Sequence, residues 1–497
     1  MGRKWLPFGI LLFAFALRLI ALNTRPVWYD ESFAVLFAEK GFKAMLAGTL
    51  TPVAGVASDV HPIVYYTALN GWMQAFGQSP FSVRLISVFS GLLTLAVSYA
   101  VGRRLFNGWA ATAGMLIVAV SPFHVYYSQE TRMYAPLALF CLLVILFFLR
   151  ATAIRDTRYV MRDWLCLALS AAFAMYMQNL AAFFLLAFGL STLPCPKVFA
   201  KVAAAGAAAF ALWLPWFLNL PGQFAKLQQA YWVTRPNFVT LLQTALVYQA
   251  GEELVAARTL LPLALFTAVV LPVFLGWQAL KRRRETSAQG ALWLTALAVG
   301  TPLLLFLASL YQPVYIQRAL LPAALMYCIA LGWLFAEAQM PGLIRGLLGG
   351  LLAVTAIGGL GAHYTFAQFP RPDFPAAVAF LRQNAAPDDV ILHSNKLSFF
   401  PMHYYDRALP QSFLADPPGS GSDTLALPTQ KVLGFFAVNE IESATQGSGR
   451  VWLIVFDRAI EEVAPEPHPH LAWLEAHYAQ KSVWRVDDLA VYEFVRP

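Results

Sequence analysis

Apolar runs of membrane-span length recur along most of this chain, separated by short polar breaks. A helix that crosses a bilayer needs about 20 predominantly apolar residues. On that measure the pattern predicts spans near 5–22, 82–101, 108–123, 135–150, 163–178, 180–194, 203–219, 259–279, 291–310, 319–337 and 343–362. The pattern changes after residue 362. There "FPAAVAFLRQNA" (374–385) has helical apolar spacing, while "VILHS" (390–394), "RVWLIVFD" (450–457) and "LAVYEF" (489–494) read as strands. "PPGSGSD" (417–423) reads as a loop. The expected fold class is an α-helical polytopic membrane protein of about 11 spans, residues 1–362, with a small C-terminal extracytoplasmic α/β domain, residues 363–497.

Composition agrees with the pattern. The 497 residues are 59% hydrophobic and 12% charged, against about 25% charged in a soluble domain. The first apolar run follows Arg3 and Lys4, as a signal peptide would. No A-x-A-like cleavage site follows it, so the expectation is an uncleaved first span. The four cysteines all lie in or beside apolar runs, so the sequence implies neither a disulfide framework nor a Cys-rich metal site.

Charge then orients the chain. The formal net charge of +8 divides into twenty-five basic and eleven acidic residues before His363, and ten basic and sixteen acidic from there on. With the N-terminus inside, Arg103 and Arg104, the Arg150–Arg162 segment, Lys197 and Lys201, "KRRR" (281–284) and Arg345 all fall inside. That register follows the positive-inside rule, so the basic body is no sign of nucleic-acid binding. It leaves 23–81, 124–134, 220–258, 311–318 and 363–497 outside, with Asp30, Glu31, Asp59, His61, His124, Glu130, Glu252 and Glu253.

Four outer stretches carry candidate chemistry. "WYDES" sets Asp30 and Glu31 side by side. A capped, amphipathic surface helix would explain them; so would a carboxylate held at headgroup depth as a general base. "SDVHPIVYY" adds Asp59 and His61, without the i, i+4 spacing of a metal site. "HVYYSQETRMYAP" packs Glu130, Arg132 and Tyr134 among aromatics. An aromatic belt with a local ion pair is one reading; a site with an arginine clamp is the other. "VYIQRALLPA" holds Tyr315 and Arg318 where the chain re-enters the membrane. Arg318 reads as a snorkelling arginine or a phosphate ligand; for Arg18, in the first span, snorkelling is expected.

In this order the stretches resemble the GT-C membrane glycosyltransferases, most closely the branch of protein O-mannosyltransferases and the bacterial aminoarabinose transferase of lipid A. The resemblance covers roughly 1–340. It implies an inverting hexosyl- or pentosyltransferase that takes its sugar from a polyprenyl-phosphate donor. Asp30 would be the base, and Glu31 would help bind the acceptor or orient the base. Glu130 and Arg132 would line the cavity, and Arg132 or Arg318 would hold the donor phosphate. His61, Tyr134 and Tyr315 fall in the same motifs and join the expected substrate-binding set, although "HPI" stands where many relatives have His-Pro-Pro. The acceptor would be a lipid, a glycan or a protein, at the outer face of a bacterial-type cytoplasmic membrane. No metal is expected, since arginine can supply the positive charge. The alternative is a secondary transporter or lipid flippase, which would want polar groups at mid-bilayer and inverted repeats.

Overall fold

The computed structural model describes residues 5–53, 56–153, 157–229, 232–257, 260–416 and 424–497; the expected loop at 417–423 lies outside the described residues. Helices occupy all eleven expected span intervals. Among the described residues, eight helices are long and apolar enough to cross a membrane alone, and a bent pair makes up to nine. Leu6–Leu19, Ala181–Ser191 and Phe238–Ala250 are shorter apolar helices. The protein is an integral membrane protein.

Hydropathy does not say which helix lies at the centre; burial does. The span Gln317–Ala336 is 89% buried, whereas Pro196–Phe217 and Gly342–Thr365 are 22% buried. Helix Leu321–Ala336 packs against helix Gly108–Val120 closely enough that a Cβ at Gly332 would collide with the backbone of Ala110 and Gly114. Small residues permit such close approach, which supplies packing energy where lipid tails offer none.

Helix Gly108–Val120 bends by 61° into helix Pro122–Ser128. Pro122 removes a backbone donor there, and Ser121 Oγ caps the second helix by accepting from His124 N. Arg18 holds this corner. Its guanidinium donates to Ala14 O and Ala119 O and lies 2.8 Å from His124 Nδ1, with the side chain fully buried. The expected snorkelling is therefore corrected: Arg18 is buried and donates to Ala119 O at the bend as well as to Ala14 O of its own helix.

The C-terminal part is an α/β unit around a five-stranded sheet: β1 (Val390–His393), β2 (Gln411–Phe413), β3 (Arg450–Phe456), β4 (Ala479–Val486) and β5 (Leu489–Val495), in the order β2-β1-β3-β5-β4. β1 runs parallel to both neighbours, while β3–β5 and β5–β4 are antiparallel. Helix Phe374–Asn384 stands where the apolar spacing puts it, capped by Asp373. Strands β2 and β4 were not expected. β2 is three residues long, and β4 is an edge strand exposing Lys481 and Arg485, a common guard against edge-to-edge pairing.

Helix Tyr29–Ala38 is the element that matters most for the site. It is not a surface helix: residues 31–38 are all buried. Helix Val64–Phe76 packs on it, and so does helix Lys396–Tyr405 of the C-terminal part.

Candidate active site

Asp30 and Glu31 lie in the first turn of helix Tyr29–Ala38, where carboxylates suit the helix dipole. Neither caps the helix. Adjacent positions on a helix do not face the same way, and the two side chains enter different networks.

Asp30 joins a partly open cluster. Its Oδ2 accepts from Arg318 Nη1 at 2.8 Å and lies 3.9 Å from Arg132 Nε. Arg132 Nη1 donates to Asp30 O at 3.4 Å and to Tyr66 Oη at 3.3 Å, and its Nη2 is 3.3 Å from His61 Nε2. His61 Nδ1 lies 2.9 Å from Asp59 Oδ1. The Arg318 guanidinium lies over the rings of Tyr134 and Trp232, at 5.4 and 5.6 Å. Burial pushes the Asp30 carboxyl up, but Arg132, Arg318 and His61 outweigh it and hold it below its ordinary range. Asp59 is likewise opposed by burial, yet His61 brings it down to about 2. Asp30, Arg318 and His61 keep 15%, 18% and 28% of their side chains exposed, whereas Arg132 keeps 3%.

Glu31 turns inward and is fully buried. Its Oε1 accepts from Arg84 Nε at 2.9 Å and Thr131 N at 3.0 Å; its Oε2 accepts from Arg84 Nη2 at 2.8 Å and Arg371 Nη1 at 2.7 Å. Burial opposes ionisation, but the two arginines and these hydrogen bonds keep Glu31 far below the usual carboxylate range. Of the two expected roles, binding the acceptor is corrected, because this buried carboxylate already accepts from four donors, whereas orienting the base is compatible with the geometry.

Glu130 stands behind the cluster and lines no open surface. Its Oε1 accepts from Trp28 Nε1 at 2.9 Å and lies 3.5 Å from Arg371 Nη2, while Oε2 has no hydrogen-bond partner among the described residues. Burial is the main cause that raises its carboxyl to about 7; Arg371 opposes the rise, and Glu31 and Asp30 add to it. Tyr315 is a second correction. It is buried, and its hydroxyl shares a 2.8 Å hydrogen bond with Thr244 Oγ1. His124 belongs to the Arg18 corner. Among the described residues, no three His, Cys, Asp or Glu side chains gather as metal ligands would.

The structure thus unites Asp30, His61, Arg132, Tyr134 and Arg318 and sets Glu31, Glu130 and Tyr315 apart. Two further residues, Arg84 and Arg371, were not anticipated. Arg84 had a signal, a charge just inside an apolar run. Arg371 had none.

The chain is similar to known proteins in part of its sequence and in its fold. The model of the dolichyl-phosphate-mannose-protein mannosyltransferase family matches residues 60–220, the stretch that holds His61, Arg84, Glu130 and Arg132. ArnT from Cupriavidus metallidurans in its apo state is similar over 98% of this chain and 97% of its own, with a TM-score of 0.62 at 14% identity. Its structure bound to undecaprenyl phosphate is similar over 99% and 98%, with a TM-score of 0.61 at 14% identity. Residues 60–220 are thus similar to the protein-mannosyltransferase family, and the whole chain has the fold of ArnT. The ArnT likeness carries the fold alone, and the family match is confined to about a third of the chain. Asp30 and Arg318 lie outside the family match, so their roles rest on the local geometry. No curated protein sequence matches this chain.

Proposed function

We propose that this protein is a glycosyltransferase that moves a sugar from a polyprenyl-phosphate donor to an acceptor hydroxyl, with Asp30 as general base and Arg318 and Arg132 on the donor phosphate. The observation that carries this reading is the 2.8 Å contact between Asp30 Oδ2 and Arg318 Nη1, with Arg132 beside it. A base and two permanent cations within a few ångströms are what such a transfer needs. The solved ArnT bound to undecaprenyl phosphate supports the donor class.

In the free protein the arginines hold Asp30 as a carboxylate. An arriving donor phosphate competes for their N–H groups, which loosens their hold on Asp30 and raises its basicity. The acceptor oxygen then attacks the anomeric carbon from the face opposite the phosphate. The acceptor proton passes to Asp30, the bond from the anomeric carbon to the phosphate oxygen breaks, and its electron pair leaves on the polyprenyl phosphate. A single displacement inverts the anomeric centre. The leaving phosphate is already an anion, so charge stabilisation by preorganised guanidinium groups matters more than a proton donor.

The site occupies one end of the bundle. The helices that begin beside it, Pro80–Leu105 and Leu321–Ala336, run to an opposite end where Asn107 N donates to Glu337 Oε1 at 2.6 Å and Gln278 Nε2 to Gln339 O at 3.3 Å. Arg103, Arg104, the 281–284 run and Arg345 belong to that opposite end. We assign the basic end to the cytoplasm of a bacterial-type cell, which puts Asp30 and the domain at 363–497 outside.

The test is transfer by purified protein from undecaprenyl-phosphate hexoses and pentoses. Asp30→Asn should abolish nearly all turnover while undecaprenyl phosphate still binds. Wild-type turnover by that variant would overturn the assignment of the base.

A further inference from the structure

Asp30 sits in a segment whose neighbours are held from the C-terminal part of the chain. Arg371 Nη1 donates to Glu31 Oε2 at 2.7 Å and to Pro26 O at 3.1 Å. The same guanidinium lies 5.2 Å from the Trp28 ring and donates through Nη2 to Tyr126 Oη at 3.3 Å. Tyr405 Oη accepts from Val27 N at 2.8 Å. Phe400 meets the Tyr29 ring edge-on at 5.5 Å between centroids and lies 6.0 Å from Phe33. Residues 26, 27, 28, 29, 31 and 33 thus all touch Arg371, Phe400 or Tyr405, and Asp30, between them, faces the two arginines of the site.

We propose that the C-terminal domain is the positioning element of the transfer site, with Arg371 as its principal positioning residue: it fixes residues 26–33 and thereby the aim of Asp30. The inference rests on the reading of Asp30 as the base. It gives the domain a task in the chemistry.

The physical case has three parts. The backbone is extended at Trp28, whose carbonyl accepts the first helical hydrogen bond from Ser32 N, so the helix itself fixes nothing before that point. Val27 N and Pro26 O, which a helix would have satisfied internally, are satisfied by Tyr405 and Arg371. Second, Arg371 is fully buried and shares Glu31 with Arg84, whose remaining N–H groups go to Leu22 O, Arg25 O and Pro26 O. Arg84 belongs to a span and Arg371 to the domain, so Glu31 locks the helix start between the two. Third, a planar guanidinium can bridge a carboxylate, a carbonyl and a phenol at fixed angles, which an ammonium cannot. A misplacement of about 1 Å in a reacting group costs on the order of a hundredfold in rate, so a segment held this way should show its contribution in kcat.

The experiment uses the full chain in lipid nanodiscs, with the undecaprenyl-phosphate sugar that the wild type turns over. Arg371→Ala, Arg371→Lys, Tyr405→Phe, Asp30→Asn and the pair Asp30→Asn with Arg371→Ala are compared. The expected result for Arg371→Ala is a fall in kcat of at least about tenfold, with donor KM and undecaprenyl phosphate Kd within about threefold. Hydrogen exchange should quicken across 26–33, and the paired variant should be no slower than Asp30→Asn alone, because the two residues act on one step. If Arg371→Ala does not fold, Arg371→Lys and Tyr405→Phe carry the test, each with a smaller loss confined to kcat. Wild-type kcat in the folded variants would overturn the inference. So would losses that follow the folded fraction and weaken phosphate binding equally, which is what a merely structural contact gives. Turnover surviving in Asp30→Asn would instead overturn the reading of the base.

Discussion

Asp30 Oδ2 and Arg318 Nη1 are 2.8 Å apart although 288 positions separate them in the chain. The pair joins the segment after the first helix to the start of the most buried span. It also sets a pH signature. Arg132, Arg318 and His61 overcome the effect of burial and keep the Asp30 carboxyl below its ordinary range. If Asp30 is the base, as proposed, it acts deprotonated, so the acid limb of kcat/KM should lie below the usual carboxylate range, roughly pH 4. Arg318→Ala removes one of the cations while burial remains, so the limb should move to higher pH. Rate profiles from about pH 3 to 8 for both proteins decide it; an unmoved limb would sink the coupling.

Glu31 and Asp30 should respond in opposite ways to the same chemical change. Glu31→Gln leaves Arg84 and Arg371 buried around an uncharged amide, and breaking a buried ion network from one side costs about 3–5 kcal/mol. Asp30 is partly open, and its partner Arg318 retains contact with solvent. Asp30→Asn should therefore cost much less stability while losing far more activity. Thermal unfolding in nanodiscs checks the first half and transfer assays the second. Equal losses of melting temperature would show that Glu31 does not carry the network.

The different fates of these two neighbours mark where the sequence stops being legible. Polar and charged residues stand out against an apolar background, so Asp30, Arg132, Arg318 and His61 could be picked out by type and because the charge pattern assigns their segments to one side. Their direction could not. Consecutive residues on a helix point about 100° apart, and only the packing of helix Tyr29–Ala38 decides which carboxylate faces the cluster. The same limit separates Arg318 from Tyr315, three positions before it. The membrane helices were legible because bilayer thickness fixes their length, and β1, β3 and β5 because buried strands leave apolar runs. Arg371 was not, since it lies among ten basic residues of an otherwise ordinary tail, and only tertiary structure carries it to Glu31.

Glu130 predicts a pH dependence of stability with a definite sign. Its carboxyl is raised to about 7 by burial, above the unfolded value of about 4.3. Between those values the folded protein holds a proton that the unfolded chain has released, so stability from this group falls as pH rises through that window. It is fully present below about pH 4 and gone above about 7. Glu130→Gln keeps an oxygen for Trp28 Nε1 without the charge, so its melting temperature should exceed the wild type's at pH 8 and converge with it near pH 5. A wild type already more stable at pH 8 would contradict this.

Arg18 tests the corner beneath the site. A snorkelling arginine could become leucine at little or no cost. This one donates to Ala14 O and Ala119 O and lies 2.8 Å from His124 Nδ1. Arg18→Leu should strand the carbonyl at the bend and cost about 1–3 kcal/mol, seen as a lower melting temperature. A neutral or stabilising substitution would return Arg18 to the snorkelling account.

The two site arginines should divide their work. Arg318 donates to the carboxylate of Asp30 and keeps a solvent-facing edge, so a phosphate can reach it by displacing Asp30. Arg132 is nearly closed off, and its N–H groups already reach Asp30 O, Tyr66 Oη and His61 Nε2. A hydrogen bond to a charged group contributes about 1.5–3 kcal/mol, or roughly 10- to 150-fold in affinity. Arg318→Ala should therefore weaken undecaprenyl phosphate binding by at least about tenfold. Arg132→Ala should cost more in melting temperature and, by releasing the Asp30 carbonyl and His61, more in kcat per folded molecule than in Kd. Titration of undecaprenyl phosphate against both variants, each with its folded fraction measured, separates the roles. If Arg132→Ala loses the larger part of the affinity while Arg318→Ala binds normally, Arg132 is the phosphate ligand and the arrangement at Arg318 serves the base alone.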